Sequence, residues 1–316
     1  MNKNNKPILE HVRGFLEYLD IEKGLSNNTQ ETYTRFLNNF SYWLKENKLE
    51  DIKPHELTEK HIWDYRVSLS RHINKMNKQT LKRSTQNYYL IALRNLLKYF
   101  SNKDILSLPA EKIKLAKSKS DERVVNFLNL SQVKNLLEIP RTSSITDLRD
   151  KAILEVLFST GLRVAELVSL NKEQVKITPE TKYLEIVVIG KGNRPRPVYL
   201  SNRAVNWLKK YLDKRDDAEK ALFINYKGPK KASRRLSRRS VENIVKKYAL
   251  LAGIPSFTSP HTLRHSFATD LLMQGVDLRE VQEFLGHKNI ATTQIYAHVT
   301  SKKLRDTHKK FHSLKE

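Results

Sequence analysis

A short stretch in the C-terminal half of the sequence places two histidines and an arginine where they could hold an anion. In "SPHTLRHSFATDLL", Ser259 is a good N-terminal cap, so a helix is predicted to start there. At ~100° per residue, His261, Arg264, His265 and Ala268 share one face, and the apolar residues lie on the other side. Such groups near the positive end of a helix dipole favour an anionic ligand. Solvated side chains on an exposed helix face are the alternative interpretation.

The two histidines, His261 and His265, are four residues apart, which is also a spacing of zinc ligands. The metalloprotease pattern has glutamate after the first histidine, whereas Thr262 stands there, and Arg264 would repel a cation. The chain has no cysteine, which excludes disulfides, thiolate nucleophiles and thiolate zinc sites. Neither a metal nor another cofactor is therefore predicted.

Two upstream segments could act on the same anion. In "TGLRVAEL", Arg163 and Glu166 are about one helical turn apart, so they form either a surface ion pair or a supported phosphate ligand. The segment "YLEIVVIGKGNRPRPVYL" predicts a β-hairpin with strands over 183–189 and 196–200 and with Lys191 and Arg194 on its turn. A lysine there is either solvated or able to bring a proton to a leaving group.

A tyrosine near the C-terminus stands close to two histidines in this basic chain. In "GHKNIATTQIYAHVT", Tyr296 lies nine residues after His287 and two before His298. Because the chain has 13 tyrosines, an ordinary buried or surface aromatic is the simplest interpretation. A phenol has an ordinary pKa of about 10 and is therefore almost wholly protonated at neutral pH.

The charge balance indicates a polyanionic partner. Lysine and arginine total 58 against 34 acidic residues, a formal charge of +24 that nucleic acid would neutralise. The sequence has no long apolar run and no signal-peptide core, so a cytoplasmic protein without membrane contact is expected. The basic stretch 226–240 is predicted to contact phosphates or to be solvated. The candidate DNA-binding residues are Arg194 from the hairpin and, from the stretch, Lys230, Lys231, Arg234, Arg235, Arg238 and Arg239.

Helical periodicity dominates the rest of the chain, so the predicted fold class is mainly α. Residues 1–115 predict an N-terminal domain of four helices, over 7–23, 28–47, 58–72 and 84–101. A polar, basic stretch at 116–125 predicts a linker. Residues 126–300 predict a mostly helical domain with a small antiparallel sheet, and residues 301–316 form a basic C-terminal tail.

Each motif is weak alone, but their order along the chain is specific. In turn come "TGLRVAEL", the lysine-tipped hairpin, "HTLRHSFAT", "EFLGHKN" and "TQIYAHV". This series resembles the catalytic domain of tyrosine recombinases, the lambda-integrase family, and most closely the Xer branch. The resemblance covers most of the chain and implies a SAM-like, core-binding N-terminal domain that helps to clamp DNA. It also implies site-specific DNA recombination through a 3′-phosphotyrosine intermediate and a Holliday junction.

The resemblance assigns the groups that meet the scissile phosphate. Tyr296 would be the nucleophile. Arg163 and Arg264 would bind the non-bridging phosphate oxygens, and His287 would lie beside them.

It also assigns the groups that move protons or give support. His261 would assist proton transfer, and Lys191 would protonate the departing 5′ oxygen. Glu166 would support the first arginine.

Partners are implied by the resemblance as well. They are double-stranded DNA with a specific recombination site and further protomers that complete a tetramer, either copies of this chain or a paralogous recombinase. Resolution of chromosome or plasmid dimers is the role favoured, with a septal DNA translocase as a further partner. Leu304, Phe311 and Leu314 could pack the tail into a neighbouring protomer, with a solvated tail as the alternative.

Three other functions use the same features. A mobile-element integrase or excisionase has the same chemistry, and a type IB topoisomerase shares the nucleophile and the phosphate contacts. A recombinase-derived DNA-binding protein would bind DNA without cutting it. The complete set of candidate residues argues against this last function, and the Xer-like N-terminal domain argues against the topoisomerase.

Overall fold

The computed structural model describes residues 1–73, 78–116, 126–190, 194–227, 233–287, 289 and 293. The chain divides into two compact units, Met1–Glu122 and Arg123–Glu316. Parts of the predicted organisation lie outside the described residues: 117–125 of the linker, the tail 301–316, and Lys191, Lys230, Lys231 and Tyr296.

The described part of the N-terminal unit contains a bundle of four α-helices, as predicted. They are α1 (Ile8–Ile21), α2 (Asn27–Glu46), α3 (Glu59–Arg71) and α4 (Arg83–Asn102), and two short 3₁₀ helices span Pro54–Glu56 and Ala110–Lys112. All eight α-helix ends lie within two residues of the predicted ones. Each helix buries one apolar stripe, and the fully buried aromatic rings of the core are Phe15, Phe40, Tyr65 and Phe100.

The C-terminal unit packs shorter helices around a buried central one. Its α-helices are α5 (Leu130–Glu138), α6 (Ile145–Thr160), α7 (Val164–Ser169), α8 (Asn202–Asp213), α9 (Arg238–Leu251), α10 (Pro260–Gln274) and α11 (Leu278–Leu285), with a 3₁₀ helix at Lys172–Gln174. Residues 148–157 of α6 are all buried, so this helix forms the centre of the core. Among the described residues, no helix is both long and apolar enough to cross a bilayer.

The predicted hairpin is confirmed as an antiparallel pair of strands. β1 (Leu184–Ile189) and β2 (Pro195–Leu200) pair in a register that runs from Leu184 opposite Leu200 to Ile189 opposite Pro195. Alternate side chains face the core, including Val188 of β1 and Val198 of β2. Arg196 is the direct partner of Val188, so a guanidinium shares the inward face of this sheet.

The helix that carries the histidines differs from the two-sided helix that the sequence predicts. α10 starts as expected, because the Ser259 side chain accepts a hydrogen bond from the Thr262 backbone N–H. Buried residues nevertheless lie on several sides of α10, because this helix packs against α5, α6, α9 and α11. The Arg264 side chain lies inside the protein, with 4% of the residue exposed, whereas His261 stays exposed. Periodicity alone could not reveal how many neighbours surround the helix.

Two glycines end the helices that lead to the site. α6 ends at Gly161 with φ of 60°, and α11 ends at Gly286 with φ of 63°. This left-handed conformation is favourable for glycine and costly for other residues, and it leaves the last carbonyl oxygens of each helix available to outside donors.

We expect Gly161→Ala to destabilise the fold more than Gly253→Ala does. Both glycines have positive φ, 60° and 63°, so each alanine carries a conformational cost of ~1 kcal/mol. A methyl group at 161 would also overlap the Phe267 ring, whereas among the described residues nothing lies within 4 Å of one at 253. Urea denaturation should therefore show a further loss of ~2 kcal/mol for the first variant. Equal losses would contradict the packing argument.

Candidate active site

Three consecutive backbone carbonyl oxygens at the end of α11 accept hydrogen bonds from three different arginines. The carbonyls of residues 284, 285 and 286 accept, in that order, from Arg196 Nε at 3.4 Å, Arg264 Nη2 at 2.6 Å and Arg163 Nη2 at 3.3 Å. We name the oxygens of residues 284–286 the α11 carbonyl triplet. The last carbonyls of a helix lack partners within it and carry its negative dipole end, so they stabilise positive charge.

Arg264 joins the ends of two helices. Besides its contact with the triplet, its Nη1 donates to the Gly161 carbonyl at the end of α6, at 2.6 Å. Its Nη2 also lies 2.9 Å from Nε2 of His287. The guanidinium is therefore fixed in direction by the ends of α6 and α11 and by His287.

Arg163 and Glu166 form a closed local arrangement at the start of α7. One oxygen of Glu166 accepts from Arg163 Nη1 and the other accepts from the Arg163 backbone N–H, both at 2.9 Å. Glu166 is 5% exposed, and a quarter of the Arg163 side chain is exposed. The pair is thus a largely buried one, and not the solvated surface ion pair that its spacing also allowed.

Arg196 is a member of the site that sequence reasoning missed. Its Nη1 and Nη2 donate to the two carboxylate oxygens of Glu166 at 3.0 Å each, a two-pronged pairing. A methyl group on Gly286 would lie 2.8 Å from Arg196 Cδ, so the glycine is also needed to make room. The signal in the sequence was the strand alternation, which places Arg196 on the same face as Val198 and Leu200.

Glu166 remains ionised at neutral pH, although it is buried. Burial alone would raise its pKa, but the hydrogen bonds from Arg196 and from the Arg163 backbone, with the charges of both arginines, bring the pKa below its ordinary value. One buried carboxylate therefore holds two of the three guanidiniums.

The histidines of the site are neutral near pH 7. Burial and the charge of Arg264 lower the pKa of His287 to about 4. The pKa of His265 is lowered to about 4 by burial and by His261 and Arg264. Partial burial, Arg264 and Arg163 lower the pKa of His261. A neutral imidazole can accept a proton, which a general base requires.

The charges of the described site do not cancel. The guanidiniums of Arg163, Arg196 and Arg264 and the carboxylate of Glu166 together have a net charge of +2. Such a site favours an anion whose charge grows towards two negative units, as that of a phosphodiester does when a nucleophile adds to phosphorus.

The base of the hairpin turn lies against this cluster. The Gly190 N–H donates to the Arg194 carbonyl at 2.8 Å, and a methyl group on Gly190 would lie 3.7 Å from Glu166 Oε1. A cavity of about 390 Å³ between the hairpin and α11 reaches from Gly190 to His287. The last described residue before Lys191 therefore lies beside the Glu166 carboxylate.

The described candidate DNA-binding residues differ in their exposure and in their contacts. Arg238 and Arg239 are exposed in the first turn of α9, and Arg194 is exposed at the end of the hairpin turn. Arg234 is half-buried. The Arg235 guanidinium donates to the carbonyls of Val168 and Leu170, at 2.7 and 3.0 Å, and to the Asn171 side chain. Arg235 thus ties its loop to the end of α7.

The part of the chain that the structure describes contains no group of three histidine, aspartate or glutamate side chains placed to hold a metal ion. His261 and His265 therefore have no third ligand among these residues.

Comparison with known sequences places the chain in a family. Residues 126–303 match the phage integrase family, and residues 12–103 match the phage integrase N-terminal SAM-like domain. The chain belongs to the phage integrase family. It is a tyrosine site-specific recombinase, as the motif series predicted.

Similar sequences and structures span nearly the whole recombinase. Tyrosine recombinase XerD of Oceanobacillus iheyensis is 35% identical, over 95% of this chain and 97% of the relative. Tyrosine recombinase XerC of Pelotomaculum thermopropionicum is 36% identical, over 96% and 97%. The solved XerH site-specific recombinase bound to difH substrate has a TM-score of 0.74 at 21% identity, covering 96% of this chain and 97% of that one. This last likeness confirms the predicted fold class.

We expect Arg196→Lys to weaken the recombinase fold. Lysine keeps the charge but loses the two-pronged contact with Glu166 and the contact with the α11 carbonyl triplet. Urea denaturation should show a loss of ~2 kcal/mol, the size of one hydrogen bond to a charged group. Arg13→Lys is the matched control, because Arg13 pairs with Glu17 on an exposed helix face, and its stability should not change measurably.

The contribution of Glu166 to stability is expected to depend on pH. Its pKa is lowered in the folded state, so its contribution is full above the ordinary value of 4.5 and is lost as pH falls through the folded value. The free energy of unfolding of the wild type should exceed that of Glu166→Gln most above pH ~5 and by less towards pH ~3. Urea denaturation across that range measures the difference, and a constant difference would refute the assignment.

Proposed function

We propose that this recombinase binds duplex DNA and cleaves one strand through attack of Tyr296 on a phosphodiester. The observation that carries the proposal is the gathering of Arg163, Arg264 and His287 at the end of α11. Two guanidiniums and an imidazole fixed at one helix end suit a tetrahedral phosphate and the more negative phosphorane that follows it.

Arg163 and Arg264 would each donate to a non-bridging phosphate oxygen. Both are already oriented by protein groups, Arg163 by Glu166 and Arg264 by the Gly161 carbonyl, so little reorganisation is needed when charge develops. A donor placed in this way contributes ~3 kcal/mol to lowering the barrier. Glu166 would thus support the reaction by orienting Arg163.

Tyr296 would attack from a segment that starts beside the phosphate site. Thr293 is fully buried, and its Oγ1 lies 3.0 Å from His287 Nδ1. Tyr296 follows it by three residues, a length of chain that spans at most ~11 Å. The tyrosine oxygen forms a bond to phosphorus, and the bond from phosphorus to the 5′ oxygen breaks, which leaves a 3′-phosphotyrosine.

Two proton transfers would complete the step. His261, neutral at pH 7, takes the phenol proton, because its lowered pKa leaves a free ring nitrogen. Lys191 gives a proton to the departing 5′ oxygen, since it directly follows Gly190 beside Glu166. The phosphodiester energy is kept in the tyrosine ester, so a second 5′ hydroxyl can reverse the step without ATP, metal or other cofactor.

The rest of the DNA would be held by the basic surface. The formal charge of +24 favours a polyanion, and exposed Arg194, Arg238 and Arg239 are the described candidates for phosphate contacts. The first turn of α9 adds the positive end of its helix dipole. XerH, one of the structural neighbours, is bound to difH substrate.

Exchange of strands would take place in a tetramer on two recombination sites, through a Holliday junction. Relatives named XerD and XerC match at similar identity, which supports pairing of this chain with a paralogous recombinase. The role we propose is dimer resolution in the cytoplasm, in concert with a septal DNA translocase. The tail 301–316 would pack into the neighbouring protomer.

The experiment that tests the chemistry uses a duplex nicked near the cleavage position, so that a short product diffuses away and traps the covalent protein. Candidate sites from the source genome are incubated with the recombinase in EDTA, and adducts are separated on a denaturing gel. We expect an adduct with the wild type and none with Tyr296→Phe, because only the phenol oxygen can form the ester. Tyr183→Phe is the matched control, since Tyr183 is 76% exposed beside the hairpin, and it should react as the wild type does.

Tight binding to a site without any adduct would favour a DNA-binding protein that does not cut. An adduct followed by relaxation without exchange of partners would favour the topoisomerase function. Loss of the adduct in EDTA alone would refute metal-independent cleavage.

A further inference from the structure

His287 is held through both ring nitrogens by partners of different kinds. Nε2 lies 2.9 Å from Arg264 Nη2, and Nδ1 lies 3.0 Å from Thr293 Oγ1. A guanidinium has only donors, so Nε2 must accept from Arg264. A neutral imidazole carries one ring proton, and that proton is therefore on Nδ1 and is donated to the Thr293 hydroxyl.

The backbone around this ring is fixed as well. The His287 N–H donates to the Gln282 carbonyl at 3.1 Å, and the Gln282 side chain donates to the His287 carbonyl at 2.9 Å. Thr293 is 0% exposed, so water has no access to replace its hydroxyl. The Nδ1 side of the ring consequently depends on Thr293 for its hydrogen bond.

A bound phosphate would require Nε2 of His287 to donate a hydrogen bond, whereas in the substrate-free protein Nε2 accepts one. Phosphate oxygens are acceptors, so contact with them requires a proton on Nε2, where the substrate-free ring has a lone pair. An added proton is disfavoured, because burial and the charges of Arg264, Arg163 and Arg196, together with His265, all lower the pKa of His287. Moving the one ring proton from Nδ1 to Nε2 allows contact with phosphate and keeps the imidazole neutral.

We propose that Thr293 is a positioning residue that lets His287 make this change. Its hydroxyl accepts from Nδ1–H while Nε2 faces Arg264, and donates to Nδ1 once Nε2–H donates to a phosphate oxygen. A hydroxyl can do both by rotating its proton, whereas a carboxylate could only accept. Water supplies the proton that Nε2 gains and takes up the proton that Nδ1 loses, in a brief opening of the site, so one N–H bond forms, one breaks and the charge of the ring is unchanged.

The first test is the position of the ring proton, read by ¹⁵N NMR of histidine-labelled protein, with His287→Gln used to assign the signal. We expect Nε2 to be unprotonated in the free protein and protonated when Tyr296→Phe protein is bound to recombination-site DNA. A protonated Nε2 in the free protein would overturn the proposal. So would an Nε2 signal that DNA leaves unchanged.

The second test compares Thr293→Val with Thr293→Ser, because valine has the shape of threonine without the hydroxyl and serine keeps the hydroxyl. On saturating nicked duplex, valine should slow formation of the covalent adduct by about tenfold or more, with DNA affinity within about twofold of the wild type. Serine should retain a rate close to that of the wild type. Equal rates for valine and serine would overturn the proposal.

A matched control is Thr269→Val on α10. Thr269 is also buried, and its Oγ1 has no hydrogen-bond partner among the described residues, so loss of this hydroxyl should leave the rate unchanged. The proposal rests on the phosphate chemistry proposed above, but the two can fail separately. Absence of any adduct with wild-type protein would refute the cleavage function, while the ring proton in the free protein would still decide the assignment of Thr293.

Discussion

The catalytic unit depends on a way to keep three guanidiniums close together when only one carboxylate among the described residues pairs with them. The α11 carbonyl triplet provides it, since each of its oxygens accepts from one of Arg163, Arg196 and Arg264. The negative end of a helix dipole stabilises a partly buried cation by up to ~2 kcal/mol, and here three cations share it. Glu166 adds the one full negative charge, and it binds Arg163 and Arg196 together.

Much of the surrounding fold can be understood as serving that arrangement. Gly161 and Gly286 end α6 and α11 in a conformation that leaves their carbonyls available, and both of these carbonyls are used by arginines. The hairpin brings Arg196 in from its buried face. Among the described residues of the site, guanidiniums outnumber carboxylates, and this charge balance favours the binding of an anion. The guanidiniums of Arg163 and Arg264, which we propose to bind the phosphate, are thus oriented before substrate binds.

The sequence predicted the parts of this site that depend on local pattern. Helix ends and the hairpin follow from capping and periodicity. Arg163, Glu166, Arg264 and His287 follow from the resemblance of the motif series to tyrosine recombinases, and the structure brings these four residues together. Strand alternation could have revealed Arg196, because a charged residue on an inward face needs a buried partner.

Other features could not be predicted, because they depend on contacts between distant segments. Arg264 is buried on a helix that packs against four others, and its donors reach carbonyls 103 and 21 residues away in sequence. Thr293 is one hydroxyl among many, and no local pattern indicates that it meets His287. Arg235 belongs to a basic run, yet it binds carbonyls 67 and 65 residues earlier in the chain. Composition describes the run as a whole and cannot separate a structural arginine from one that faces solvent.

α11 has only eight residues, and its last turn meets all three arginines. A small shift of so short a helix would change three hydrogen bonds at the same moment, and with them the direction of both proposed phosphate ligands. Displacement of α11 would therefore redirect all three guanidiniums together, so the position of one two-turn helix sets the geometry of the whole cluster.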